Sequence, residues 1–191
     1  PYSEGRVAYV RLNRVSDNMQ DADYRKGVLK ALNKEEILTA AYGSLDYATP
    51  SYSFLPKTNG FYTEDLEKFD QDLEAAKELV AGGATKLSLC HVAEPAQTAQ
   101  AQVIQAQLKE VGIEVELFGL EQGAYMETAY DNEDKTYDMY LGGYIMTIDP
   151  AGYAGMFTTG NMINYANEEI DALFAASKVE TDSAKRAEMF T

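Results

Sequence analysis

Cys90 and His91 are the chain's only cysteine and only histidine, and they are neighbours. A thiol beside an imidazole is a pair from which a nucleophile and its base can be built. Residues 86–92 alternate like a strand, however, and adjacent strand residues project to opposite faces, so these two are not placed to exchange a proton. One cysteine and one histidine fall short of the ligand set of a zinc site. No calcium-loop spacing is present. Gly82-Gly83 and Gly142-Gly143 lack the spacing and context of a phosphate loop. No serine sits in a nucleophile-elbow pattern. The 31 Asp and Glu residues make carboxylate pairs common and single out none as acid and base. The residues point to no cofactor, no metal and no catalytic constellation, and the chain reads as a non-enzyme.

The aromatic residues are the other lead. There are 14 tyrosines and no tryptophan. A tyrosine offers an apolar ring and a hydroxyl, which suits ligands of mixed polarity, although tyrosines also line the seams between sheet and helix. The formal charge of -15 repels phosphate backbones and anionic lipid, so nucleic acid is not an expected partner. Hydrophobic residues make up 46%, enough for a packed core. No apolar run approaches the roughly 18 residues that span a bilayer. A lone cysteine allows no internal disulfide, which fits a cytosolic protein or an exported, disulfide-free one and excludes the small disulfide-stapled class.

The elements that must position these residues follow from periodicity. Residues 6–13 read as a strand. Asp21 starts a helix carrying Tyr24, Val28, Leu29 and Leu32 at helical spacing. Asn33, with Glu36 three residues on, caps a second helix that Gly43 ends. Residues 44–62 form a long loop, functional or mobile. Leu66, Phe69, Leu73, Ala76 and Val80 predict one apolar helical face ending at Gly82-Gly83. Residues 86–92 (strand), 95–111 (helix) and 113–117 (strand) form a βαβ unit, so the two strands should be parallel. A short helix is predicted at 125–130, a strand at 137–144, and a break at Asp149-Pro150. Asn167 and Asp182 cap the last two helices. The order is α/β with a mixed sheet.

Four stretches, in order, resemble the solute-binding proteins of oligopeptide and dipeptide ABC transporters, solute-binding family 5. Residues 9–13, Asp23-Tyr24-Arg25-Lys26 and Ala31-Leu32-Asn33-Lys34-Glu35-Glu36-Ile37 resemble its strand and "D-x-x-R-x-A…A-I-D-R-E-x-I" helices, with Asn33-Lys34 where Asp-Arg is usual and Gly27 where Ala is usual. Residues 70–83 resemble "D-x-x-x-A-K-x-L-L-x-x-A-G". Ile104-Gln105-Ala106-Gln107-Leu108-Lys109 through Val111-Gly112-Ile113-Glu114-Val115-Glu116 resemble "I-Q-x-Q-L-K-x-I-G-I-x-V-x". Tyr165-Ala166-Asn167-Glu168-Glu169-Ile170-Asp171, with Glu180-Thr181-Asp182 and Lys185-Arg186, resemble "Y-x-N-x-x-x-D" and "T-D-x-x-x-R".

The resemblance implies a periplasmic-binding-protein-like (type II) lobe, with a mixed, mostly parallel sheet flanked by helices. Residues 1–191 would form the second large lobe of a two-lobed clamp, truncated at both ends, with the N-terminal lobe missing. Its partners would be a peptide ligand and the permease subunits of an ABC importer, and its place would be extracytoplasmic, as a surface lipoprotein or in the periplasm. The ligand would lie extended between the lobes, its main chain bonded to strand-like backbone. The implied ligand-binding residues are Gly143, Tyr144, Ile145, Thr147, Asp149, Asn161 and Asn164. Gly143, Tyr144 and Ile145 fall where the family has Gly, Trp and a third residue that meet the peptide backbone. Met146-Thr147-Ile148 is one residue shorter than the pattern, and the acid that meets the ligand's amino terminus in the family has no counterpart before Asp149. Either Asp149 substitutes, or the ligand is not an ordinary oligopeptide. Nickel chelates, sugars, opines and a peptide-pheromone sensor therefore stay as alternatives, and Asp149, Asn161 and Asn164 also suit turn formation.

Overall fold

The computed structural model describes residues 5–131, 133, 135–145, 149–161 and 165–190. Four strands, β1 (Arg6–Leu12), β2 (Lys86–Val92), β3 (Glu114–Leu120) and β4 (Met139–Ile145), form one sheet in the order β1-β4-β2-β3. β1 runs antiparallel to β4, while β4, β2 and β3 are parallel. The sheet is thus mixed and mostly parallel. α4 (Pro95–Glu110) links β2 to β3 as the βαβ pattern predicts.

Strand alternation gives the sheet two different faces. One carries Leu87, Leu89, Met139 and Leu141. It packs against α1 (Ala22–Lys30), α2 (Lys34–Tyr42), α3 (Leu73–Val80) and α4 through Val28, Ile37, Ala76, Ile104 and Leu108. The other carries Cys90 and Tyr140 and is covered by Tyr125 and Ala129 of α5 (Gln122–Ala129). A second apolar cluster joins Leu55 of the long loop to Ala151, Phe174 and Phe190. Those last residues belong to the segment formed by α6 (Ala154–Phe157), α7 (Glu168–Ser177), α8 (Ser183–Glu188) and their flanks.

The predicted caps form. The side chains of Asp21, Asn33, Asn167 and Asp182 each accept backbone N–H groups at the start of α1, α2, α7 and α8. One expected helix is shorter than its apolar spacing suggests. Leu66 and Phe69 lie outside α3, whose cap is Asp72. The preceding residues place their polar groups on the α1–α2 connection instead. Asp72 N–H donates to Lys30 O at 2.8 Å, Gln71 Nε2 to Ala31 O at 3.1 Å, and Lys34 Nζ to Phe69 O. These tertiary bonds outcompete helical ones, and helical periodicity alone does not reveal them.

At the start of β4, Asp138 is 7% exposed and acts as a staple. Its Oδ2 accepts Ser88 N–H at 2.8 Å and Ser88 Oγ–H at 2.9 Å, and Oδ1 accepts from Asn18 Nδ2 at 3.1 Å and from Ser16 Oγ. The network fixes β4 against β2 and against the turn after β1.

Candidate ligand-binding face at the end of β4

β2 and β4 pair only at Leu89 with Met139, Cys90 with Tyr140, and His91 with Leu141. β2 then turns away. Ala93 N–H goes to Leu120 O, Glu94 N–H goes back to Val92 O, and Pro95 opens α4 at the position where a missing N–H costs nothing. β1 meanwhile stays paired along the other flank of β4, as far as Arg6 opposite Ile145. Among the described residues, residues 142–145 therefore have a strand on one flank and none on the other. This is the type of backbone edge to which an extended chain can add.

Aromatic side chains hold that segment in place. The Tyr144 ring lies 5.0 Å from Tyr153 and 5.9 Å from Tyr9, centroid to centroid. Tyr144 Oη donates to Phe54 O, which ties the long loop to β4, and Tyr153 Oη donates to Ile145 O. Burial raises the Tyr144 hydroxyl well above the ordinary tyrosine value, with Tyr153 and Tyr9 adding to it. Tyr9 and Tyr125 are likewise raised, mainly by burial. All three stay protonated near pH 7.

The two glycines have separate steric reasons. A Cβ at Gly142 would sit 2.7 Å from Tyr125 Oη and 2.9 Å from Tyr9 Oη. A Cβ at Gly143 would sit 3.0 Å from Val7 O and 3.3 Å from Arg6 Nε. The approach these glycines permit is thus made by the protein's own tyrosines and by Arg6.

Asp149 caps the 3-10 turn Pro150–Tyr153, its Oδ1 accepting Ala151 N–H at 2.9 Å. Arg186 Nη2 donates to both its oxygens, while Arg186 Nε donates to Ser177 O at 2.7 Å. Partial burial pushes the Asp149 carboxyl up, but the Ala151 N–H and the Arg186 guanidinium outweigh that and hold it below the ordinary range. Because Tyr153 reaches back to Ile145, the Asp149 turn and residues 143–145 form one unit.

Asn161 is 5% exposed and works within its own turn. Its Nδ2 donates to Thr158 O and Tyr165 O, and its Oδ1 accepts Tyr165 N–H. The Tyr165 ring carries the Arg14 guanidinium at 5.3 Å, and Arg14 follows the end of β1 that pairs with Met139 rather than Ile145. Thr147 and Asn164 lie outside the described residues.

Gly143, Tyr144, Ile145 and Asp149 are brought together, then, and Asn161 serves a separate turn. Tyr9, Tyr153, Phe54, Arg6 and Arg186 belong to the same assembly and were not singled out from the sequence. Cys90 and His91 face opposite sides of the sheet, Cys90 beside Tyr140, and His91 with Nδ1 2.8 Å from Val92 O and its ring against Gly119. Among the described residues, no cluster of three or more His, Cys, Asp or Glu could hold a metal, and no helix is long and apolar enough to cross a membrane. Two hollows, about 410 Å³ beside Asp17 and Tyr24 and about 470 Å³ around Lys86, Ser88 and Asp138, lie toward the starts of the parallel strands. Ile145, at the end of β4, is 64% exposed.

Comparison with known proteins agrees with this architecture. The dipeptide-binding protein of Escherichia coli is 26% identical over 96% of this chain, which spans 37% of that protein. The ABC transporter substrate-binding protein CtaP of Listeria monocytogenes superposes with a TM-score of 0.93 at 32% identity, over 99% of this chain and 40% of its own. A putative peptide-binding protein, AppA, of Clostridium difficile gives a TM-score of 0.91 at 34% identity, over 99% of this chain and 41% of its own. The chain therefore spans about two fifths of the length of these relatives. The family model for the middle region of bacterial extracellular solute-binding proteins, family 5, matches residues 1–165, and the chain belongs to that family.

Proposed function

We propose that this chain is one lobe of a two-lobed receptor that captures peptides outside the membrane and delivers them to an ABC permease. The carrying observation is the β4 segment 142–145, paired with β1 on one flank and, among the described residues, without a strand on the other. A peptide laid there as an added strand gains main-chain hydrogen bonds that do not depend on its sequence. Tyr144, within the segment, packs its ring 5.0 Å from the buried Tyr153, which backs the segment with neutral aromatic groups. The open form of the site suits a ligand whose other side is covered by a second lobe, with hinge closure completing the enclosure. Export and lipid anchoring belong to this same reading.

The test is native mass spectrometry of the full-length protein purified gently from its cells. A ladder of co-purified peptide masses is expected. A single non-peptide mass, or no occupancy with peptides in excess, would reject peptides in favour of another solute such as a nickel chelate, sugar or opine. The isolated lobe should bind the same peptides far more weakly, because half of the enclosing contacts are absent.

A further inference from the structure

Arg6 stands apart from the other arginines. Arg11 donates to Ala129 O at 2.6 Å, Arg14 lies over the Tyr165 ring, Arg25 donates to Met19 O at 2.6 Å, and Arg186 holds Asp149. Arg6 is exposed, and among the described residues no carboxylate, carbonyl or ring engages it. In a chain of net charge -15, with carboxylates in excess, that is not for want of acids.

Its position gives the lone charge a context. Arg6 is opposite Ile145 in the β1–β4 register, and its Nε lies against the space that a side chain at residue 143 would fill. Gly143 leaves room for the Arg6 side chain to lie across β4. Neighbouring strands are about 4.8 Å apart, so a guanidinium over β4 is within one side-chain swing of the flank where an added strand would run. Over residues 142–167 the chain has one charged residue, Asp149, and Arg186 already neutralises it. Among the described residues of β4 and the turn that follows it, the Arg6 guanidinium beside Gly143 is thus a charge without a partner, available to a ligand.

We propose that Arg6 is a ligand-contacting residue that pairs with a carboxylate of the bound peptide, either its C-terminal group or an acidic side chain. The inference rests on the peptide-receptor reading above and adds a chemical preference to it. Guanidinium and carboxylate match as a two-pronged hydrogen-bonded pair, which a lysine ammonium does not reproduce. On a partly exposed face the preference falls as salt is added.

The experiment uses the full-length receptor at low salt, titrated calorimetrically with three probes: penta-alanine with a free C-terminus, penta-alanine amide, and Ala-Ala-Glu-Ala-Ala amide. At least one carboxylate-bearing peptide should bind about tenfold or more tighter than the neutral amide. Arg6→Gln should abolish that difference, with the carboxylate-bearing peptide losing much more affinity than the neutral amide, and Arg6→Lys should restore part of it. A preference confined to the free-acid peptide identifies the C-terminus as the source, and one confined to the glutamyl peptide identifies a side chain. Because Arg6 is exposed and has no partner among the described residues, an unchanged melting temperature verifies that the variants are folded. A preference that survives Arg6→Gln, no preference in the wild type, or an equal loss for all three peptides would overturn the proposal. If the wild type binds none of the three and takes up a non-peptide solute, the peptide reading itself falls, and this inference with it.

Discussion

Arg186 holds Asp149 by both carboxylate oxygens, with Nη2 2.7 Å from Oδ1 and 2.9 Å from Oδ2. Thirty-seven residues separate the two, and the pair pins α8 to the turn that leaves β4. The same guanidinium lies over the rings of Phe61 and Phe190. It therefore joins the apolar cluster of the long loop to the segment behind the ligand face.

The first prediction concerns this pair. Asp149→Asn keeps an oxygen that can cap the turn, so it removes mainly the charge. The Asp149 side chain is 56% exposed, and the loss at pH 7 should be about 0.5–1 kcal/mol. Arg186→Gln should cost more, about 2 kcal/mol, because the contact with two phenylalanine rings goes as well. The Asp149 pKa is lowered in the folded state, so below the ordinary value of about 3.9 the unfolded chain binds more protons than the folded one. The stability from the pair is fully present above that value and is lost as the pH falls from it through the lower folded-state value. Urea unfolding at pH 7 and at pH 3 should show the gap between wild type and Asp149→Asn closing at the lower pH. A gap as wide at pH 3 as at pH 7 would mean that the charge is not its source.

The second prediction concerns Gly142 and Tyr125. Tyr125 is 4% exposed, and its hydroxyl is buried without a hydrogen-bond partner among the described residues. Removing an unsatisfied buried hydroxyl is neutral or favourable, so Tyr125→Phe should change stability by about 0 to +1 kcal/mol. Gly142→Ala puts a methyl 2.7 Å from that same oxygen and 2.9 Å from Tyr9 Oη, which should cost about 1–3 kcal/mol. In the double variant the phenylalanine should recover part of the loss, since the two sites share one contact. Strictly additive melting data would show that Tyr125 is not what excludes a side chain at residue 142.

The fold was legible where the cause is local. A cap depends on one side chain and the next three residues, so Asp21, Asn33, Asn167 and Asp182 could be read directly, as could the βαβ unit with its apolar alternation. The long loop was recognisable as a loop, but its docking through Tyr144 Oη to Phe54 O spans 90 residues and leaves no periodic trace. Gly143, Tyr144 and Ile145 came from the family resemblance rather than from any local pattern. Tyr9 could have been found from strand alternation, because Val7, Tyr9 and Arg11 share a face of β1 with Tyr144, Gly142 and Tyr140 opposite them. The open flank could not, because it depends on where β2 departs relative to β4, and register between distant strands is not written in either one.

The third prediction concerns alkaline pH. Tyr9, Tyr125 and Tyr144 line one side of the sheet and its β4 exit, and burial is the largest cause of the raised pKa in each. The unfolded chain releases the corresponding protons near pH 10, whereas the folded chain keeps them. Above that pH the folded state binds more protons than the unfolded one, so stability falls as the pH rises, by up to about 1.4 kcal/mol per pH unit for each such tyrosine. Below it their contribution is fully present and flat. Unfolding followed by circular dichroism, with tyrosinate absorbance recorded in parallel, should show ionisation and loss of structure rising together above pH 10. The variant Tyr144→Phe should unfold with a shallower dependence on pH, having one fewer proton to lose. If all fourteen tyrosines ionise near pH 10 while the sheet stays intact, burial of these hydroxyls is not holding their protons.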